Sequence, residues 1–331
     1  MLATLRNLFA PQHIAAVMKT MDPLATTVMD RFFKDRPTHP SPLIGKADLH
    51  TVARTIPVVR RDGTPISLDT EGMSMEFVAP LPVKPKVNIS ASEVNDLRAM
   101  LGNTMALEAW RRNKVDQIRR ATRDTTEGIC SVVLTTGKIN WPVQLEGGRT
   151  ENYEIDYGPI LTHTISQPLT RNTELSDVYE LLTGMEQAIR MAGVGGSVTF
   201  LAGKNVAKVF IDMANSVRTT VESKPISIKL DKGKVTVSGY EIEFMAETYP
   251  APLTNQWVPK LDENTLLAVT TDSPGKVWYC AIDSISANNA AVPLHIVPVA
   301  KDDDSGITLI GQSKPMPARH SRASCRCVVV F

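Results

Sequence analysis

Residues 46–86 carry prolines at positions 57, 65, 80, 82 and 85 and show no helical periodicity. Proline fixes φ and has no N–H to donate, so this stretch is neither a helix nor the interior of a sheet. It alternates as a strand does from His50 to Arg60, turns at Asp62-Gly63 and returns through Ile66 to Val83. Asp-Gly between extended runs signals a hairpin, because glycine takes positive φ at little cost. A hairpin alone is marginal in water, and about 40 residues without helix or dense core are unusual inside a compact domain. Its stability has to come from another surface, most simply a neighbouring subunit. Arg60, Arg61, Asp62 and Gly63 form its tip. Two guanidinium forks there suit carboxylates on a partner, so the tip is a candidate inter-subunit clamp; a solvated charged turn is the alternative.

Residues 1–45 read as an arm. Short amphipathic helices, marked by Leu2, Leu5 and Phe9 and then by Ile14, Val17 and Met21, precede a proline-rich stretch at Pro37, Pro40 and Pro42. Phe32 and Phe33 bring two large apolar groups with no evident local partner. They anchor the arm either on another subunit or on their own domain.

The texture then changes. From Ser92 to Glu127 there is no proline and a single glycine, Gly102. Ser90 or Ser92 can cap a helix with Glu93 and Asp96 in its first turn. Val94, Leu97, Leu101 and Met105 recur at helical spacing, and Leu107, Trp110, Val115 and Ile118 continue with a drift around the axis. Arginines crowd the later half, Arg111 and Arg112 first, followed by Arg119, Arg120 and Arg123. The spacing predicts one helix over 92–127, about 50 Å long at ~1.5 Å per residue, ended by Gly128.

Beyond it helix and strand signals interleave. Strands are expected at 130–134, 138–146 and 152–157, a helix from Ser176 (as N-cap) to Met191, a strand at 198–201 and a helix at 205–217. A hairpin of 226–230 with 235–244, strands near 265–269 and 277–282, and a closing β segment to Phe331 complete an α+β chain.

Composition excludes several classes. The 331 residues are 43% hydrophobic and 21% charged, ordinary for a folded protein. Net charge is +1, whereas a dedicated nucleic-acid binder carries a clearly basic domain. Cys130, Cys280, Cys325 and Cys327 are too sparse for a disulfide framework and are expected as reduced thiols. No apolar run reaches the ~18 residues of a membrane span. Pro11, Gln12 and His13 interrupt any signal-peptide core, so the chain is expected to stay where it is made.

No motif assembles an active site. Gly193-Val194-Gly195-Gly196 follows a helix and precedes a strand, the reverse of a dinucleotide loop. Gly203-Lys204 lacks the rest of a P-loop. Cys325-x-Cys327 has only His320 nearby, and on a strand both thiols simply share a face. Asp302, Asp303 and Asp304 lack the terminal Glu of an EF-hand. No catalytic, cofactor-binding or metal-binding residue is assigned, and no cofactor is expected.

The unusual segments also carry a resemblance. Phe32-Phe33 before the proline-rich arm, the Pro57–Gly63 loop, Met75-Glu76-Phe77 and Val83-Lys84-Pro85-Lys86 before the arginine-rich helix resemble the major capsid protein of lambda-type tailed phages, the capsid protein E family. Asp262-Glu263-Asn264-Thr265, Trp278-Tyr279-Cys280 with Asp283, and Thr308-Leu309-Ile310 through Gln312-Ser313-Lys314-Pro315-Met316 resemble its closing strands.

The resemblance implies an HK97-like phage capsid fold. Its parts would be an N-terminal arm (1–45), an extended E-loop (46–86), a peripheral domain (87–172 and 305–331) with a spine helix near 92–127, and an axial domain (173–304). It implies a non-enzymatic subunit that self-assembles into hexamers and pentamers of an icosahedral head around double-stranded DNA. Such a subunit belongs to the virion, after assembly and procapsid maturation in the host cytoplasm, with scaffold, portal and cement or decoration proteins as further partners and no membrane. Near-neutral charge suits a container that does not grip its DNA. Phe32, Phe33, Arg60, Arg61, Asp62, Gly63, Arg111 and Arg112 are the candidate assembly contacts. The alternatives are an encapsulin-like compartment, a tail or decoration protein, and an enzyme with an unrecognised site in 173–304.

Overall fold

A computed structural model describes residues 9–45, 49, 77–100, 104–216, 226–254, 256–301 and 306–330. The Arg60–Gly63 tip and the aspartates at 302–304 lie outside the described residues.

The long helix runs Thr104–Thr136. Its 33 residues span about 50 Å at ~1.5 Å each. The helix expected at 92–127 is therefore two helices. Ala91–Met100 is separate, and Glu93 pairs with Lys114 at 2.7 Å. In one straight helix those residues would stand about 31 Å apart, so the short helix folds back on the long one. Ser90 is its cap: its Oγ accepts from the Glu93 N–H, and the Glu93 carboxylate accepts from the Ser90 N–H. That reciprocal pair is a capping box.

Nor does Gly128 end the helix, and Cys130–Leu134 is not a strand. The helix passes through both and stops before Gly137, whose φ is +73°. Ile129, Cys130, Val133 and Leu134 read as a strand because the helix end is covered on nearly every side, which erases the helical stripe. Gly128 is there for close approach, since a Cβ would lie 2.7 Å from the Trp141 ring. The buried hydroxyls of Thr122, Thr126 and Ser131 donate to carbonyls four residues back.

Three apolar cores surround this axis. The first joins arm residues Val28, Met29, Phe32 and Phe33 to the end of the long helix. It also takes in the hairpin Lys138–Gln144/Thr150–Asp156 and the strands Lys276–Cys280 and Pro315–Ala318. The third packs Phe9, Ile14 and Val17 against Val115 and Ile118.

The second core lies on a seven-stranded mixed sheet. Its order is Leu161–Thr162, Ser324–Val328, Thr265–Thr270, Val198–Ala202, Tyr240–Phe244, Lys234–Val237, Ile228–Asp231. Helices Leu175–Met191 and Lys204–Ser216 contribute Leu182, Met185, Val206 and Phe210 to this core. All six residues of Thr265–Thr270 are buried. Leu266 and Ala268 enter the helix-side core while Leu267 and Val269 enter the arm-side core. A strand covered on both faces favours apolar residues throughout, which explains the run Leu266–Val269 between its two terminal threonines.

Two further expectations need correction. The 235–244 strand breaks at Ser238-Gly239, where φ is +46° and +97°, making a second hairpin turn. The helix after residue 174 begins at Leu175 with Glu174 in the N-cap position, and Ser176 lies inside it. Ser324–Val328 hydrogen-bonds along Thr265–Thr270 and so lies in the sheet built mostly from 173–304.

Candidate assembly site: the arm strapped to the long helix

Residues 112, 116, 119, 123 and 127 follow i+3/i+4 spacing and form one stripe of the long helix. That stripe holds the arm by its backbone. Arg112 Nη2 donates to the Thr20 carbonyl at 2.8 Å, and Arg119 Nη2 to the Asp22 carbonyl at 2.8 Å. Arg123 Nη2 reaches Thr26 Oγ1 at 2.8 Å and the Asp30 carboxylate at 2.6 Å. Asp116 accepts from Arg120 and pairs with Arg119, which orients that guanidinium.

Glu127 closes the stripe. Its carboxylate is buried and accepts the N–H groups of Val28 and Met29, each at 2.8 Å. These belong to the first turn of the short arm helix Val28–Phe32, where orphan N–H groups and the helix dipole favour an anion. Lys260 Nζ supplies the countercharge at 2.7 Å, its side chain only 9% exposed. The ion pair thus joins arm, long helix and the segment before the buried Thr265–Thr270 strand.

Asp30 gathers the Thr26 N–H, Arg123 and Arg36. Burial works against its charge, but the Thr26 bonds and Arg123 outweigh it and hold the carboxyl at about 2. A depressed carboxyl stabilises the fold above its unfolded value of 3.8. This contribution is present at neutral pH and is lost as pH falls from about 4 through about 2. Glu243 is lowered likewise: burial opposes its charge, and hydrogen bonds from Arg31 and Lys234 prevail.

Phe32 and Phe33 pack in their own subunit. Both are essentially unexposed, and Gly275 sits so near the Phe33 ring that a Cβ there would lie 2.5 Å from it. The Gly275 N–H and Arg319 both donate to the Phe32 carbonyl, at 2.7 and 3.2 Å. Arg319 also donates to the Thr270 carbonyl at 2.7 Å. Burial pushes its guanidinium down to about 10, so it stays charged at neutral pH.

Of the candidate contacts, Phe32 and Phe33 are buried in the first core, and Arg112, on the long helix, holds the Thr20 carbonyl well away from them. Arg111, off that stripe, pairs with Glu108 at 3.8 Å. Sequence reasoning missed Arg119, Arg123, Glu127, Lys260 and Arg319 as holders of the arm. The i+3/i+4 stripe was readable; Lys260 and Arg319, far along the chain, gave no local signal.

Three of the motifs set aside above are taken up by the protein's own packing. Ser197 N–H donates to Asp272 at 2.6 Å across the Gly193–Gly196 turn. At Gly203 a Cβ would meet the Asp262 carbonyl at 2.1 Å. Cys325 and Cys327 face one apolar core. Among the described residues no group of three or more His, Cys, Asp or Glu is placed to hold a metal ion. No described helix is long and apolar enough to cross a membrane.

Comparison with known proteins completes the picture. The sequence profile of phage major capsid protein E matches residues 11–329. No curated protein matches the chain. Among solved structures, a protein assigned as the capsid protein of a prophage of E. coli CFT073 is similar, at 15% identity and a TM-score of 0.63. That similarity covers 97% of this chain and 99% of the other. A phage-related protein of Bordetella bronchiseptica RB50 is similar at 9% identity and a TM-score of 0.50, covering 95% of each chain. The fold is the HK97-like capsid fold. With its profile matched from arm to last strand, the chain belongs to the phage major capsid protein E family, a structural, self-associating shell subunit of the virion and not an enzyme.

Proposed function

We propose that this subunit forms the hexamers and pentamers of an icosahedral head that encloses double-stranded DNA without sequence-specific contacts. Assembly takes place in the host cytoplasm, with scaffold, portal and cement or decoration proteins as partners. The division into arm (1–45), E-loop (46–86), peripheral domain (87–172 and 305–331) and axial domain (173–304) belongs to this reading. The sheet pairing of Ser324–Val328 favours counting that strand with the axial body.

One observation carries the inter-subunit role of the loop. At its root Ile44–Gly45 pairs with Phe77–Val78. Ile44 and Val78 face inward and are buried, whereas Leu43 is 42% and Phe77 60% exposed on the outer face. A ribbon apolar on both faces needs cover on both, and a neighbouring subunit supplies the second. Expressed with any scaffold it requires, the chain should form megadalton closed shells by light scattering and negative-stain microscopy. A stable folded monomer alone under those conditions would overturn the reading, and shells filled with protein cargo in place of DNA would point to a compartment.

The Arg60-Arg61 tip is the proposed clamp on a neighbour's carboxylates. Replacing both with alanine should leave circular dichroism unchanged while lowering shell yield. Double-mutant shells with wild-type resistance to heat and salt would remove the clamp from the reading.

A further inference from the structure

Between residues 23–25 of the arm and residues 119–126 of the long helix lies a cavity of about 520 Å³. That is within the range of small-molecule sites, roughly 300–1,000 Å³. Met18, Leu24 and Leu294 give it apolar walls, and Tyr279 lines it from the strand Lys276–Cys280. Tyr279 is the unusual member. It is 5% exposed, and its hydroxyl has no hydrogen-bond partner among the described residues. A buried tyrosine hydroxyl ordinarily finds one. This hydroxyl is not sealed off from water-sized space, which in a residue so buried means that it opens on the cavity. Burial raises its pKa, so it keeps its proton and can donate.

The remaining donors are guanidinium groups. Arg36, Arg119 and Arg123 line the same space against a single carboxylate, Asp30. Asp30 is already held by Arg36 and Arg123 together. Asp116, which pairs with Arg119, is shared with Arg120. The lining therefore keeps a positive excess. Arg36 spends one amino group on Asp30, and its other nitrogens make no hydrogen bond among the described residues. The Thr122 and Thr126 hydroxyls are spent on carbonyls four residues back. What the cavity lacks is an acceptor.

We propose that this cavity binds a carboxylate carried on a short aliphatic body. Its oxygens accept from the Tyr279 hydroxyl and the Arg36 guanidinium, and its chain lies along Leu24 and Leu294. A planar carboxylate matches the guanidinium fork. Apolar walls disfavour a strongly hydrated anion such as phosphate. A free carboxylic acid and the C-terminal residue of a polypeptide both present this chemistry. Either would brace the arm against the long helix from beneath. The inference is independent of shell assembly.

Hexanoate titrated at pH 7 into the unassembled full-length subunit should bind, followed by saturation-transfer NMR, and hexanol should not. Tyr279→Phe keeps the ring and removes one hydrogen bond to a charged group. It should fold with unchanged circular dichroism and bind hexanoate about tenfold more weakly. Arg36→Gln should weaken binding likewise, and Arg123 still holds Asp30 in that variant, so either substitution alone decides the matter. N-acetylleucine binding more tightly than hexanoate assigns the site to a polypeptide C-terminus; the reverse order assigns it to a free acid. No binding at millimolar hexanoate would overturn the proposal. So would hexanol binding as well as hexanoate, inorganic phosphate displacing it, or a folded variant of either residue binding at wild-type affinity.

Discussion

Replacing Glu127 with alanine should destabilise the unassembled subunit by roughly 3–5 kcal/mol, the cost of removing one partner from a buried ion pair. The loss has two parts. Lys260 stays buried and loses its shorter ion pair, keeping the Thr27 hydroxyl at 2.6 Å and the half-exposed Glu247 carboxylate at 3.6 Å. The N–H groups of Val28 and Met29 also lose their acceptor inside the protein, and a buried unsatisfied donor costs about 1–3 kcal/mol. Glu127→Gln should fall between, since its amide oxygen still accepts one N–H. Urea denaturation followed by circular dichroism gives the comparison. The double variant Glu127→Gln/Lys260→Met should recover much of the loss, because it removes the buried charge. A single Glu127→Ala variant within about 1 kcal/mol of wild type, the range typical of an exposed pair, would show that the pair is not buried in solution.

Legibility in the sequence tracked how local each signal was. Ser90 and Glu93 form the expected cap because a capping box needs only four consecutive residues. The strands at 138–144 and 150–156 flank Gly147 and Gly148, both at positive φ, and those glycines announced the turn. The helix through Gly128 was illegible for a tertiary reason: that glycine answers to Trp141, thirteen residues on, and not to the helix axis. The reversal that lets Glu93 reach Lys114 was hidden because the apolar spacing runs on from Val94 to Ile118 with only a drift. In the assembly site, the arginine row was visible but its target was not, since it grips carbonyls at 20 and 22 that any sequence would provide. Backbone recognition leaves no side-chain signature on the recognised segment.

Phe33→Ala should cost about 3–5 kcal/mol, the range for deleting a fully buried phenylalanine. Phe33 is unexposed, and the chain has bent its own backbone to hold the ring: Gly275 lies against it where any Cβ would collide. That glycine cannot move in to fill the void, because its N–H is fixed to the Phe32 carbonyl and the next strand continues the attachment through Val277 to Asp35 and Tyr279 to Pro37. A rigid wall makes the cavity persist, which places the cost toward the upper part of the range. The apolar anchor and the arginine strap then separate by their response to salt. Charged contacts at the surface weaken as the Debye length shrinks to ~3 Å near 1 M salt, whereas burial of Phe33 does not. High salt should therefore loosen residues 20–26 while leaving 28–41 in place, measured by hydrogen exchange on the wild-type subunit. In Phe33→Ala the order should reverse, with exchange at Val277 and Tyr279 rising even at low salt. Equal exchange in both segments under both conditions would mean that the arm is held as one unit, and the division into anchor and strap would fall.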